Sequence, residues 1–228
     1  MESKIETKIE NGVVENWEDL YQKAKTIENL DEKLLIYCYL FIPLRSDISS
    51  IKIRDFNKQI DNYYDSNNKQ IVFNSLVKKQ KILSVDIPVE LNELIETFIK
   101  RNPNEIYLIK LTHSNRNLNI TKRLAVVSEK YFGKGLTIND YRHIYSTFQA
   151  DKVKHLPIRK QVKAIDDVSK LMNNSVKTQI QYYICKLMDD KHDKFKKELN
   201  DVNVIHSYDG KIYIVDKIVE VIDTDLLK

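Results

Sequence analysis

The segment Leu34 to Leu44 reads LLIYCYLFIPL, apolar on every side. A helix that is hydrophobic all round belongs in the middle of a core. Asp31 is placed to cap this helix and Pro43 to stop it. The run is far too short to cross a bilayer. The N-terminal MESKIETKIENGVVENWEDL has no apolar stretch of the secretory kind. The 228 residues are 42% apolar and 31% charged, ordinary values for a globular domain with one sizeable core. Two cysteines, Cys38 and Cys185, make no disulfide framework. They read as small buried residues in a reducing, intracellular compartment.

The rest of the chain is expected to surround that helix. Glycine and proline number four each, so boundaries are few, and no internal repeat is visible. Residues 1–15 read as a tail or linker, 16–200 as the main domain and 201–228 as a C-terminal extension with a β-strand. Helical spacing marks Trp17 to Ile27, Val89 to Lys100, Asn119 to Tyr131, a helix opened by Thr137, and Ile158 to Met172 behind Pro157. Asn174 or Ser175 is placed to cap a further helix through Tyr183 towards Leu199. The β-prone runs QIVFNSL (70–76) and ILSVDI (82–87) flank the polar turn VKKQK, which predicts a hairpin. Ile51 to Phe56 is ambiguous, Ile106 to Leu111 is a candidate short strand, and Lys211 to Ile222 reads as a strand after Asp209-Gly210. The expected fold class is α+β, mostly helical with a small antiparallel hairpin.

Net charge is 37 − 33 = +4, mildly basic. Its distribution says more, with lysines and arginines gathered at Lys78-Lys79-Gln80-Lys81, from Lys152 to Lys163, and at Lys194-Phe195-Lys196-Lys197. Such patches suit a polyanion, and equally a solvated surface. His113, His155, His192 and His206 lack metal-ligand spacing.

Four segments carry the chemistry: Pro43-Leu44-Arg45-Ser46-Asp47-Ile48, the lysines of the hairpin turn, Asn139-Asp140-Tyr141-Arg142-His143-Ile144-Tyr145-Ser146-Thr147, and Asn174-Ser175-Val176-Lys177-Thr178 followed by Tyr182-Tyr183. In this order they resemble the catalytic motifs of the tyrosine recombinase and phage integrase family, over roughly Leu30 to Leu187. Tyr-Arg-His-Ile-Tyr-Ser-Thr resembles the family's His-x-x-Arg-His helix, whose arginine contacts the scissile phosphate. Pro-Leu-Arg-Ser-Asp resembles its first arginine box, and Asn-Ser-x-x-Thr the segment before the nucleophile.

The resemblance implies DNA strand breakage and rejoining through a 3′-phosphotyrosine, without ATP, metal or other cofactor. Arg45 and Arg142 would fork the non-bridging phosphate oxygens. Lys78 would protonate the leaving 5′-oxygen, with Lys79 and Lys81 as alternatives. Tyr183 is the expected nucleophile, because it stands nine residues after Asn174, and Tyr182 is the alternative. His143 would orient the site and Asp47 would fix Arg45. Double-stranded DNA and a homo-oligomer on it, dimer or tetramer, are the implied partners, with no membrane.

The chain departs from the family at Asn139 and Asn174, where histidine, or at the second position tryptophan, is usual. Asparagine donates a hydrogen bond to phosphate but carries no proton. Taken singly, Tyr182-Tyr183 read as core aromatics and the lysine turn as solvated. Alternatives are therefore a non-catalytic DNA-binding relative and a relaxing enzyme of the type IB topoisomerase kind. Little sequence precedes the catalytic helices, so a fragment or compact variant without an N-terminal DNA-clamping domain is expected. The Lys/Ile/Asn bias fits a mobile element or large DNA virus, which would place the protein in a host nucleus or viral factory.

Overall fold

A computed structural model describes residues 16–76, 82–111, 115–156 and 158–172, and the strand segments 203–206 and 212–215. The chain divides into two units, Met1–Tyr183 and Ile184–Lys228.

The first unit opens with α1 (Trp17–Lys25), capped by Asn16, whose side chain accepts from the Glu18 amide at 2.9 Å. Trp17, Leu20, Tyr21 and Ala24 form its buried stripe, the spacing expected of a surface helix. Helix α2 (Leu30–Phe41) follows. Its cap is Asn29, which accepts from the Glu32 amide at 3.0 Å; Asp31, expected as the cap, lies in the first turn and pairs with Lys110 at 3.2 Å. An acid inside the first turn faces the positive end of the helix dipole, so Asp31 still stabilises that end. Residues Leu34 through Leu40 are all buried, with no exposed face.

Helix α2 is the central element. It packs against α1, α3 (Val89–Arg101), α4 (Arg116–Phe132) and α5 (Ile138–Val153), while α6 (Ile158–Leu171) packs on α5. Helix α4 ends at Gly133, whose φ of 72° is the left-handed conformation that glycine adopts without penalty. No described helix is long and apolar enough to cross a membrane.

The expected hairpin is present as β2 (Gln70–Phe73) and β3 (Leu83–Asp86), with Phe73 opposite Leu83 and Gln70 opposite Asp86. A strand not expected from the sequence, β1 (Tyr63–Asp65), pairs on the other side of β2. The ambiguous segment at Lys52 extends this sheet. The Lys52 amide donates to Asn62 O, Tyr64 donates back to Lys52 O, and Leu108 donates to Ile51 O on the far side. The candidate strand at 106–111 is thus reduced to a bridge between Tyr107 and Lys52.

In the second unit, β4 (Asn203–His206) and β5 (Ile212–Val215) form an antiparallel hairpin, with Asn203 opposite Val215. Strand β5 lies within the run expected to be a strand; β4 was not expected. The helix expected around Tyr183 lies outside the described residues.

Two outcomes test this architecture. Leu35 is fully buried in α2, so Leu35→Ala should lower unfolding free energy by about 2–5 kcal/mol. Val126→Ala, at a side chain 68% exposed, should change it by no more than about 0.5 kcal/mol; urea titration measures both. The second concerns Glu32, which accepts from Lys130 and Tyr131 and so ties α2 to α4. Burial alone would raise this carboxyl, but those two hydrogen bonds outweigh it and hold it below its ordinary 4.5. The stabilisation is then complete above 4.5 and lost as pH falls through the lower folded value. Between roughly pH 5 and 3, the range in which carboxylates protonate, Glu32→Gln should lose less stability than the wild type.

Candidate functional site

Helix α5 starts from a capping box. The Thr137 hydroxyl accepts from the Asp140 amide, and the Asp140 carboxylate accepts from the Thr137 amide at 2.8 Å. Both ends of the first turn are thereby satisfied, which fixes the helix just before Arg142. Tyr141 and Ile144 are buried in the main core. Arg142 and Ser146, one turn apart, are buried as well.

Arg142 is only 5% exposed, and its guanidinium meets two backbone carbonyls. Nη1 donates to Pro43 O at 3.0 Å and Nη2 to Met172 O at 3.1 Å. The Ser146 hydroxyl donates to Met172 Sδ at 3.1 Å. One turn of α5 therefore holds both the exit of α2 and the end of α6. An arginine stays charged in such surroundings, and carbonyl oxygens offset part of the loss of water.

Arg45 lies two residues beyond Pro43. Ile42 ends α2 with φ −129° and ψ 77°, outside the helical region as suits a residue before proline. The Leu44 amide donates to Ile42 O at 2.7 Å across that proline. Arg45, half-buried, then leads into a short 3-10 helix, Ser46–Ser50. The Tyr39 hydroxyl donates to Arg45 O at 3.2 Å. Asp47, buried, lies in the first turn of the 3-10 helix, where the Ser50 hydroxyl donates to its carbonyl at 2.7 Å.

Helix α4 secures this corner. The Ser49 hydroxyl and the Asn117 side-chain carbonyl are 2.8 Å apart, and Arg116 Nε donates to Ser49 O at 2.7 Å. The Arg116 guanidinium also lies 3.8 Å from the centre of the Tyr107 ring, and burial pulls its pKa below the ordinary arginine value.

Three segments distant in sequence thus meet: the Arg45 corner, the Arg142 turn, and Met172 at the end of α6. Tyr39 lies among them. Burial raises its hydroxyl well above the ordinary value; Cys38 and Asp47 push the same way and Arg142 opposes them. Asn139 is exposed on the first turn of α5 and His143 is half-buried beside Arg142. Lys78, Asn174 and Tyr183, with the alternatives Lys79, Lys81 and Tyr182, lie outside the described residues. Among those described, no cluster of His, Cys, Asp or Glu is arranged to hold a metal ion.

The sequence pointed to Arg45 and Arg142 but not to Tyr39, Ser146 or the two carbonyl acceptors. The apolar run hides Tyr39 among its neighbours. Ser146 carries one signal, its spacing of one turn from Arg142.

No family model and no curated protein matches the sequence. Among solved structures, the fold is similar to that of XerA recombinase, with a TM-score of 0.52 and 13% identity. The match covers 78% of this chain and 61% of that one, so the chain spans about three-fifths of the recombinase's length. The fold is mostly helical α+β with a small antiparallel sheet, like that of the recombinase. At the level of fold, this agrees with the tyrosine recombinase resemblance.

Arg142→Ala would strip both carbonyls of their buried donor, at about 1–3 kcal/mol for each group left unsatisfied. Denaturant titration should show that loss, with Arg142→Lys intermediate, since an ammonium cannot span both acceptors. An alanine variant as stable as the wild type would show that the bridge contributes nothing.

Proposed function

We propose that this chain is the catalytic part of a site-specific DNA recombinase or integrase that cuts and rejoins strands through Tyr183. One observation carries the reading. Arg142 Nη1 donates to the carbonyl of Pro43, two residues before Arg45, so the two arginine-bearing segments adjoin in a recombinase-like fold. Arginines on two such adjoining segments would suit a phosphate whose non-bridging oxygens gain charge in the transition state.

In this proposal the Tyr183 oxygen gives up its proton to solvent as it attacks the phosphorus and forms a phosphotyrosine ester at the 3′ end. The bond to the 5′-oxygen breaks as Lys78 donates a proton to it. The ester conserves the energy of the broken linkage, and the reverse attack by a 5′-hydroxyl reseals the strand. Asp47 holds the Arg45 corner, His143 steadies Arg142, and Asn139 and Asn174 donate hydrogen bonds to the phosphate. Residues 16–200 form the catalytic domain and 201–228 its extension. Duplex DNA is the substrate, and the protein acts on it as a dimer or tetramer.

The exposure of Asn139, a group that cannot carry a proton, favours a second reading as a non-catalytic DNA-binding relative. A duplex nicked beside the cleavage site separates the two, because the short leaving strand diffuses away and traps the covalent product. The wild type should give a protein–DNA adduct stable to denaturant, and Tyr183→Phe should give none. An adduct that persists in Tyr183→Phe but vanishes in Tyr182→Phe moves the nucleophile by one residue. Salt-sensitive duplex binding with no adduct from the wild type supports the second reading.

A further inference from the structure

Tyr39 has no place in the chemistry outlined above, yet it touches both arginine-bearing segments. It is fully buried in α2, two residues before the helix ends. Its hydroxyl donates to the carbonyl of Arg45 at 3.2 Å. Its ring lies 5.9 Å from that of Tyr141, tilted by 42°, and Tyr141 is the residue before Arg142. The two tyrosines differ in what their hydroxyls do. Tyr141 shares a hydrogen bond with Ser128 at 3.0 Å, within the core.

We propose that Tyr39 is a positioning residue, whose hydroxyl pins the Arg45 backbone while its ring, packed on Tyr141, sets the spacing between the Arg45 corner and the Arg142 turn. The contact falls where the chain leaves α2 through Pro43 and the backbone is held by few regular hydrogen bonds. A carbonyl fixed there fixes the direction in which the next side chain departs. Burial raises the hydroxyl's pKa and so favours the protonated form that can donate. The contribution to reaction rests on the recombinase reading; the anchoring of Arg45 does not.

The test compares Tyr39→Phe with Tyr141→Phe in the full chain, each losing one buried hydroxyl and keeping its ring. On the nicked duplex, Tyr39→Phe should slow adduct formation by roughly tenfold or more, the scale of a misplaced reacting group. Duplex affinity should stay within about twofold, because the loss falls on the transition state and not on ground-state binding. Tyr141→Phe should react like the wild type. In parallel, the carbonyl carbon resonance of Arg45 should move in Tyr39→Phe and stay in place in Tyr141→Phe.

If the wild type forms no adduct, the recombinase reading falls and the Arg45 resonance alone decides the anchoring. A resonance unmoved in Tyr39→Phe overturns the proposal, as do equal adduct rates in Tyr39→Phe and the wild type. Should Tyr39→Phe fail to fold, the wild-type Tyr39 hydroxyl proton gives the answer. Slow exchange with solvent, seen on ring-labelled tyrosine, supports the bond to Arg45, and fast exchange refutes it.

Discussion

Everything around the candidate site depends on one guanidinium placed where water scarcely reaches. Arg142 must find acceptors to remain buried, and it finds them in the main chain at Pro43 and Met172. Backbone carbonyls suit this purpose because their positions are set by helix ends and not by flexible side chains. The exit of α2, the middle of α5 and the end of α6 are consequently held in one geometry by a single side chain. The central position of α2, apolar on every side, makes that exit a fixed point to begin with.

The same device recurs elsewhere. Arg54 donates to Ile99 O, Asn102 O and Glu105 O, each at 2.9 Å, and so satisfies the carbonyl end of α3 and the turn beyond it. Helix C-termini leave carbonyls without internal partners and carry partial negative charge, so a cation there is doubly favoured. Arg116 ties Ser49 O to Ile109 O, and Arg123 donates to Lys110 O. In a chain with only four glycines, side-chain donors on long stems take over much of the closing of irregular segments.

What could be read in the sequence follows from this division of labour. The α2 run, the β2–β3 hairpin and the helix opened by Thr137 were legible because periodicity and capping residues are local signals. The cap of α2 was misplaced from Asn29 to Asp31, since both residue types favour that position and only the backbone geometry selects between them. Strand β1 escaped notice because Tyr63-Tyr64-Asp65 is too short to show alternation and owes its pairing to Lys52 and β2. At the site, Arg45 and Arg142 stood out because their segments resemble the tyrosine recombinase motifs. Their surroundings did not, because carbonyl acceptors exist at every position and leave no trace in composition. Tyr39 sits in a stretch where every neighbour is apolar, and its distinguishing contact is made by one oxygen atom.

The double bridge at Lys52 has an effect beyond its own segment. By lying between β1 and Tyr107, it covers the outer rim of β1. Among the described residues, no strand pairs with the outer edge of β3. A bare rim invites strands of other molecules to add on, and short length, charge and proline discourage them. Strand β3 spans only Leu83–Asp86, its Asp86 is engaged by the Gln70 side chain at 2.6 Å, and Pro88 follows closely. Features that discourage strand addition are thus gathered on and just after this short strand.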